Sequence, residues 1–77
     1  MGELLEFLAR ELVSSPDAVS VSESEGAEGV VLELRVAQDD LGRVIGRGGR
    51  TARALRTVVR AASTRDGRRA SIEIVGA

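Results

Sequence analysis

The segment Val44-Ile45-Gly46-Arg47-Gly48-Gly49-Arg50 decides the fold, because helical patterns lie on both sides of it. Its three glycines within four positions let the backbone turn tightly and approach another molecule with no Cβ in between. Since a helical pattern starts directly after the loop, free amide groups and the positive end of a helix dipole face it. Arg47 and Arg50 add full positive charges. The segment therefore predicts an anion-binding site, with phosphate as the anion.

The loop differs from the common nucleotide-binding loops. A Walker loop requires Gly-x-x-x-x-Gly-Lys-Ser/Thr, and the chain contains no lysine. A dinucleotide-binding fingerprint requires Gly-x-Gly-x-x-Gly after a strand, whereas Thr51 occupies the third glycine position and no predicted strand precedes the loop. We therefore expect no nucleotide cofactor.

Length and composition exclude several classes of protein. The 77 residues are enough for one small domain, predicted to span 1–77, and 43% of them are hydrophobic. The absence of cysteine and histidine removes disulfides, the usual metal ligands and the commonest general base, so we expect no metal, no cofactor and no enzymatic activity. The acidic N-terminus does not resemble a signal peptide and no segment reaches membrane-spanning length, which favours a cytoplasmic protein.

Charge is distributed unevenly along the chain. Residues 1–40 contain two arginines and ten acidic residues, a net charge of −8, whereas residues 41–77 contain nine arginines and two acidic residues, a net charge of +7. Such a division favours one basic surface that binds a polyanion and an acidic surface elsewhere. Arginines that only solvate a surface helix would also explain it.

The first half of the chain reads as a helix followed by a hairpin. A helix is predicted over Gly2–Ser15, and Glu25–Gly29 is predicted to join two strands that have one buried face. The serine-rich first strand, around Val19 and Val21, is predicted to lie at the sheet edge. The expected core positions of these elements are Leu4, Leu5, Leu8 and Leu12 in the helix and Val30, Leu32, Leu34 and Val36 in the second strand.

The second half predicts a helix pair around the glycine loop and a final strand. Asp39 or Asp40 is expected to cap a short helix that Gly46 ends. A longer helix from about Arg50 to Ser63 follows, then a turn over Thr64–Gly67 and a strand, with Gly76 and Ala77 as a tail. The expected buried residues are Leu55, Val58, Val59 and Ala62 in the long helix and Ala70, Ile72 and Ile74 in the last strand.

The resulting order is α-β-β-α-α-β, and with the Ile-Gly-x-x-Gly segment it resembles a type II KH domain. The phrase from Asp40 to Arg56 resembles the small bacterial RNA-binding KH proteins of the KhpA type. The resemblance implies an α+β fold in which three helices cover one face of a three-stranded mixed sheet. It also implies that short single-stranded RNA lies in a groove beside the GxxG loop, with a role as a post-transcriptional regulator or RNA chaperone.

The resemblance also implies roles for particular residues. Gly46 and Gly49 are the fixed glycines, Arg47 and Gly48 meet the nucleic-acid backbone, and Ile45 is a core residue that holds the loop to the sheet. The RNA-binding set carried over from the family is Ile45, Gly46, Arg47, Gly48, Gly49, Arg50, Arg53 and Arg43.

A second function stays open. The domain would be a protein–protein dimerisation module, with the glycine loop as a plain helix-capping turn and RNA binding as a secondary property. The resemblance implies a homodimer or a heterodimer with a larger multidomain KH protein, and a small domain gains stability from such an interface. Candidate contact residues are Phe7, Val13 and Val31.

Overall fold

The computed structural model describes residues 1–65 and 67–76, which form three α-helices, three short 3-10 turns and one three-stranded sheet. Asp66 of the predicted turn and Ala77 of the predicted tail lie outside these residues. The α-helices are α1 (Gly2–Leu12), α2 (Leu41–Ile45) and α3 (Arg50–Arg65), the strands are β1 (Ser20–Gly26), β2 (Gly29–Val36) and β3 (Ala70–Gly76), and the 3-10 turns are Pro16–Ala18, Gln38–Asp40 and Arg47–Gly49. The predicted element order is confirmed.

The sheet has the order β1-β2-β3 and mixes both kinds of strand pairing. β1 and β2 form an antiparallel hairpin in which Gly26 lies opposite Gly29, while β2 and β3 run parallel with Leu32 opposite Ile72. The predicted edge position of the serine-rich strand and the mixed sheet are therefore confirmed. Because β3 is the other edge, a strand from the acidic half of the chain and a strand from the basic half lie at opposite edges of the sheet.

One hydrophobic core lies between the sheet and the helices. The four predicted positions of β2 are all buried and pack with Leu5 of α1, Val44 of α2, and Leu55 and Val59 of α3. Side chains alternate between the two faces of a strand, so Val31 and its outward neighbours lie on the face away from this core. The expectation of three helices on one sheet face is confirmed.

The predicted stripe of α1 is wrong at two of its leucines. Leu4 and Leu12 are exposed, and the side of α1 that enters the core carries Gly2, Leu5 and Ala9. Small residues at two of these three positions let the helix approach the sheet closely, which turns part of the leucine stripe outward.

α1 also ends earlier than predicted, at Leu12 and not at Ser15. Val13 is extended, and the amides of Ser14 and Ser15 donate hydrogen bonds to the Asp40 carboxylate. Because these amides bond to the Asp40 side chain and not to carbonyl groups of α1, the helix does not continue past Leu12.

α3 has a buried side that differs from the predicted one. Val58 is 40% exposed, whereas Ala52 and Ser63 are buried together with Leu55 and Val59. Ser63 tolerates burial because its hydroxyl donates to the Arg60 carbonyl at 2.9 Å within the same helix. The helix also extends to Arg65, and Ala62 is only half-buried.

Asp40 occupies the predicted position before α2 but does not cap that helix. Its side chain accepts hydrogen bonds from the Ser14 amide at 3.1 Å, the Ser14 hydroxyl at 2.8 Å and the Ser15 amide at 3.1 Å. Asp40 is 1% exposed, so a buried carboxylate connects the end of α1 to the start of α2.

Two further observations complete the fold. Gly76, expected in the tail, pairs with Val36 as the last residue of β3. Within residues 1–65 and 67–76, no helix has both the length and the apolar character needed to cross a bilayer.

Candidate nucleic-acid interface

The Gly46–Gly49 loop is a compact turn between α2 and α3 that projects into solvent. The Gly46 amide donates to the Gly42 carbonyl at 2.9 Å and ends α2, and the Gly49 amide donates back to the Gly46 carbonyl at 3.0 Å. Arg47 and Gly48 are exposed at the tip. The next residue begins α3, a helix of 16 residues, so the positive end of its dipole faces this loop.

Gly46 is fixed by both its backbone conformation and its surroundings. Its φ is +76°, and a Cβ there would lie 2.3 Å from the Thr51 hydroxyl oxygen and 2.8 Å from the Thr51 amide nitrogen. Gly48 also has positive φ, +64°, but a Cβ there would point into open space. The loop therefore requires glycine for its own packing at Gly46, whereas Gly48 leaves room for another molecule.

Five exposed arginines of the loop and of α3 up to Arg60 have no acidic partner in the part of the chain that the structure describes. The ion pairs found there use Arg10, Arg35, Arg43 and Arg68. Like charges repel along a helix. The loop end of α3 thus concentrates positive charge that an external anion would stabilise. The arginines concerned are Arg47, Arg50, Arg53, Arg56 and Arg60.

Three of these arginines define the arginine flank of α3. Arg53, Arg56 and Arg60 are spaced i, i+3 and i+7, so they share one side of the helix. Two of them reach a groove between α3 and the edge strand β3, which we call the α3–β3 groove. The cavity in this groove has a volume of about 120 Å³ and is lined by Arg56, Val59, Arg60, Ala70, Ser71 and Ile72. Apolar floor and cationic rim suit a nucleic-acid base with its phosphate.

The opposite flank of α3 is apolar and faces α1. A second groove there encloses about 260 Å³. Leu4 and Phe7 precede Leu8 and Glu11 by one turn on the same side of α1, and Phe7 is 61% exposed. We call this the α1–α3 groove, and it is lined by Leu8, Glu11, Leu12, Thr51, Ala54, Leu55 and Val58.

Negative charge lies mainly at the other edge of the sheet. β1 carries Glu23 and Glu25, and α1, which packs beside it, carries three further glutamates. β3 and the α3–β3 groove are separated from β1 by the whole of β2. The predicted separation of a basic and an acidic surface is thus present, and Arg68 pairs with Glu25 where the two surfaces meet.

The structure gives different surroundings to the residues predicted from the family. The glycines, Arg47, Arg50 and Arg53 lie in the loop and on the exposed start of α3. Ile45 is 41% exposed, so its expected role as a core residue is wrong, and Val44 occupies the core instead. Arg43 is held toward the start of α2 by Asp40, with Arg43 Nε 3.4 Å from Oδ1.

Sequence reasoning omitted four arginines that line the groove region. Arg56 and Arg60 belong to the arginine flank, and Arg68 and Arg69 precede β3. The i, i+3, i+7 spacing on α3 was a usable signal for the first two. The other two lie in the short connection from α3 to β3, where no helix or strand periodicity indicates which side chains face the groove.

The candidate dimer residues also separate in three dimensions. Phe7 is exposed beside the α1–α3 groove, Val13 packs against the core, and Val31 lies on the outer sheet face. They therefore do not form one surface.

Comparisons with known proteins agree on one family. Residues 2–74 match the family described as KhpA/KhpB, KH domain. The chain is 48% identical over 75 residues to the RNA-binding protein KhpA of Clostridium acetobutylicum, which covers 97% of this chain and 100% of that protein. It is 48% identical over 73 residues to the KhpA of Aquifex aeolicus, covering 95% and 92%, and 60% identical over 57 residues to that of Streptomyces coelicolor, covering 74% and 72%.

Proposed function

Since this chain belongs to the KhpA/KhpB KH-domain family, as its resemblance predicted, we propose that it binds short single-stranded RNA. The observation that carries the proposal is the exposed Gly46–Gly49 loop at the start of α3, beside five exposed arginines without described acidic partners. KH loops of this kind clamp about four nucleotides. The GxxG loop typical of the family thus lies where exposed arginines and a helix N-terminus attract phosphate.

Each part of the site has a distinct task in this proposal. The Arg47 side chain and the Gly48 backbone approach the phosphates, because Gly48 has no side chain and the space beside it is open. Arg50 and Arg53 contact further phosphates, and exposed Ile45 offers apolar surface beside the loop. The α3–β3 groove receives bases through van der Waals contact and hydrogen bonds, since the chain has one aromatic residue and cannot form a stacking platform.

Catalysis forms no part of the proposal. The adjacent carboxylates Asp39 and Asp40 are the pair that a general acid–base mechanism would use. Three hydrogen bonds from Ser14 and Ser15 occupy Asp40, and the Ser14 amide above all holds the pKa of its carboxyl below the ordinary value. A carboxyl group with a lowered pKa is ionised near neutral pH and is a weak base, so Asp40 is poorly suited to donate or accept a proton in catalysis.

A binding panel tests the RNA proposal. The full chain is titrated into fluorescently labelled single-stranded RNA, RNA duplex and ATP, with anisotropy as the readout. We expect micromolar or weaker binding to the single strand and still weaker binding to the other two. Two or three phosphate contacts predict a log–log salt slope of about −1.5 to −2 at roughly −0.7 per phosphate. Binding that is independent of salt would contradict the phosphate clamp.

We also propose that the chain pairs with a second copy of itself through the α1–α3 groove. Exposed Leu4, Phe7, Leu12 and Val58 form one apolar surface around it. A two-fold interface brings the same patch of both copies together, so the projecting Phe7 of each copy can enter the groove of the other. The arginine flank then stays open in both copies, and two sites acting together raise the affinity for one RNA.

Sedimentation equilibrium over a wide concentration range tests the dimer. A shift from monomer to dimer supports it. If the chain stays monomeric alone but forms a one-to-one complex with a purified larger KH protein, the proposed homodimer is wrong and a heterodimer takes its place.

We propose that such an assembly acts on RNA as a post-transcriptional regulator or RNA chaperone, and that it does so in the cytoplasm.

A further inference from the structure

The outer sheet face, on the side of the sheet away from the helices, is uncovered in residues 1–65 and 67–76. Alternate strand positions project from it, among them Val31 and Glu33 of β2 and Glu73 of β3. A cavity of about 420 Å³ lies on this face and is lined by Ser22, Glu23, Ser24, Val31, Glu33 and Glu73. The outer sheet face therefore presents carboxylates and small hydroxyl groups around a valine.

Two carboxylates of this face lie next to each other across a strand pair. Glu33 is the register partner of Glu73 in the parallel pairing of β2 with β3. Neighbouring strands are about 4.8 Å apart, so like charges at this position repel. Arg35 pairs with Glu33 at 2.6 Å, whereas Glu73 has no ion-pair partner within the described residues. Positive charge from outside would relieve this repulsion.

Positive charge with a matching spacing is present on the arginine flank of α3. Its i, i+3, i+7 positions rise by about 4.5 Å and then about 6 Å along the helix axis. Ser22, Glu33 and Glu73 form one row across the three strands, with a step of about 4.8 Å. A helix laid across the strands can therefore place two arginines of the flank over the two carboxylates.

The two surfaces can meet only between copies of the chain, because α3 packs on the opposite side of the sheet from the outer sheet face. Copies do not repel each other at long range, since the net charge is −1. The halves of the chain nevertheless carry −8 and +7, so a basic surface of one copy attracts an acidic surface of another. Charge complementarity thus points to a second copy as the occupant of the outer sheet face.

We propose that the outer sheet face binds the arginine flank of a second copy, and that this contact competes with RNA for the same arginines. The contact itself does not require RNA binding, whereas the competition rests on the function proposed above. Its charged groups are exposed, so the contact is weak and sensitive to salt. It joins two different surfaces and can be repeated by further copies, in contrast to the two-fold contact through the α1–α3 groove.

Sedimentation equilibrium of the full chain tests the contact at about 20 mM and about 300 mM salt, between which the Debye length falls from about 20 Å to about 6 Å. We expect species larger than a dimer at low salt and their loss at high salt. The apolar dimer should remain, because salt does not weaken burial of apolar surface.

An RNA competition in the same experiment tests the shared use of the arginines. A single-stranded uridine tetramer, added at low salt in excess over the chain, should disperse the species larger than a dimer. Inorganic phosphate at the same phosphorus concentration is the control for screening and should leave them in place. Anisotropy with the labelled tetramer shows independently whether the RNA binds.

Two double variants identify the surface. E33Q/E73Q is expected to weaken the salt-sensitive association by about tenfold, the effect of losing two exposed ion pairs. E6Q/D17N is the matched control, since it changes the net charge equally, also takes one carboxylate from an exposed ion pair and alters no lining residue of the outer cavity. It should associate like the wild type. Melting curves confirm that each variant is folded.

The outcomes separate the contact from RNA binding. If no salt-sensitive species forms, if it persists in E33Q/E73Q, or if both double variants lose it equally, the contact is overturned while the RNA-binding proposal stands. If the species depends on Glu33 and Glu73 but the tetramer does not bind, the RNA-binding function fails and the contact stands. A tetramer that binds and leaves the species intact overturns the competition.

Discussion

The two flanks of α3 differ in chemistry although they belong to one helix. Arg53, Arg56 and Arg60 lie on the side toward β3, where the groove has a cationic rim. Ala54 and Val58 lie on the side toward α1, where the lining is mostly apolar. A polyanion and an apolar surface can therefore be bound on opposite sides of the same helix without competing. The comparison implies that RNA binding and self-association can be disrupted separately.

The largest expected effect comes from reversing charge at the loop tip. Replacing Arg47 and Gly48 together by Asp places two carboxylates at the positive end of the α3 dipole, where they repel phosphate. RNA binding should become undetectable, while sedimentation still shows self-association. Because Gly48 has φ +64°, the change costs about 1–2 kcal/mol of stability, which a melting curve checks.

The matched control for this variant is Gly48→Asn. Asparagine tolerates positive φ at least as well as aspartate and carries no charge. It should retain RNA affinity within about threefold, since a Cβ at Gly48 meets nothing within 4 Å. Equal loss of binding in both variants would show that loop conformation and not charge is responsible.

The next effect concerns the apolar flank. Val58→Glu places a charge in the surface proposed for the second copy, and we expect self-association to weaken by about thirtyfold or more, as for a central interface residue. The affinity for a single-stranded RNA of four nucleotides should be unchanged. Val31→Glu makes the same substitution on the outer sheet face and should leave the dimer intact. A dimer lost with Val31→Glu but kept with Val58→Glu would move the interface to the sheet.

A smaller effect is expected in the scaffold that both flanks share. Asp40→Asn replaces an acceptor of three hydrogen bonds with an amide, so the melting temperature at pH 7 should fall. The Ser14 amide and its neighbours lower the pKa of Asp40 in the folded state, so its stabilisation is complete above the unfolded pKa of about 3.9 and is lost as pH falls further. The difference between wild type and variant should therefore shrink below pH 4.

Asp39→Asn provides the control, because Asp39 is the exposed neighbour and makes none of these hydrogen bonds. It should melt like the wild type at pH 7. In folded Asp40→Asn, RNA affinity and self-association should both be retained; selective loss of either would mean that Asp40 acts on one flank and not on the scaffold.

The smallest effect is that of a single arginine. Arg53→Gln should weaken RNA binding by a few fold and reduce the salt slope by roughly 0.7, the amount for one phosphate. Arg35→Gln removes the same charge from the outer sheet face, where Arg35 pairs with Glu33 at 2.6 Å, and should change neither quantity. An identical response to both substitutions would point to net charge and not to the arginine flank.

The sequence by itself determined the features that depend on neighbours along the chain. Alternation in β2 predicted its four core residues, and the glycine spacing predicted the turn that Gly46 makes between two helices. Strand and helix periods are set by local backbone geometry, so a short window of sequence contains them. The element order and the glycine loop followed from such windows, and the family was predicted from the resemblance of the segment between Asp40 and Arg56.

Only the tertiary structure decided how the elements face one another. Leucines cover a wide arc of α1, and close packing through Gly2 and Ala9 selected which of them turn outward. The carboxylate of Asp40 bonds to Ser14, 26 residues away, so its role was invisible to a capping pattern. Arg69 follows α3 in the chain, but its backbone is fixed by the hydrogen bond that its carbonyl accepts from the distant Val30 amide. Each of these outcomes depends on contacts between distant segments, and such contacts leave no periodic trace in the sequence.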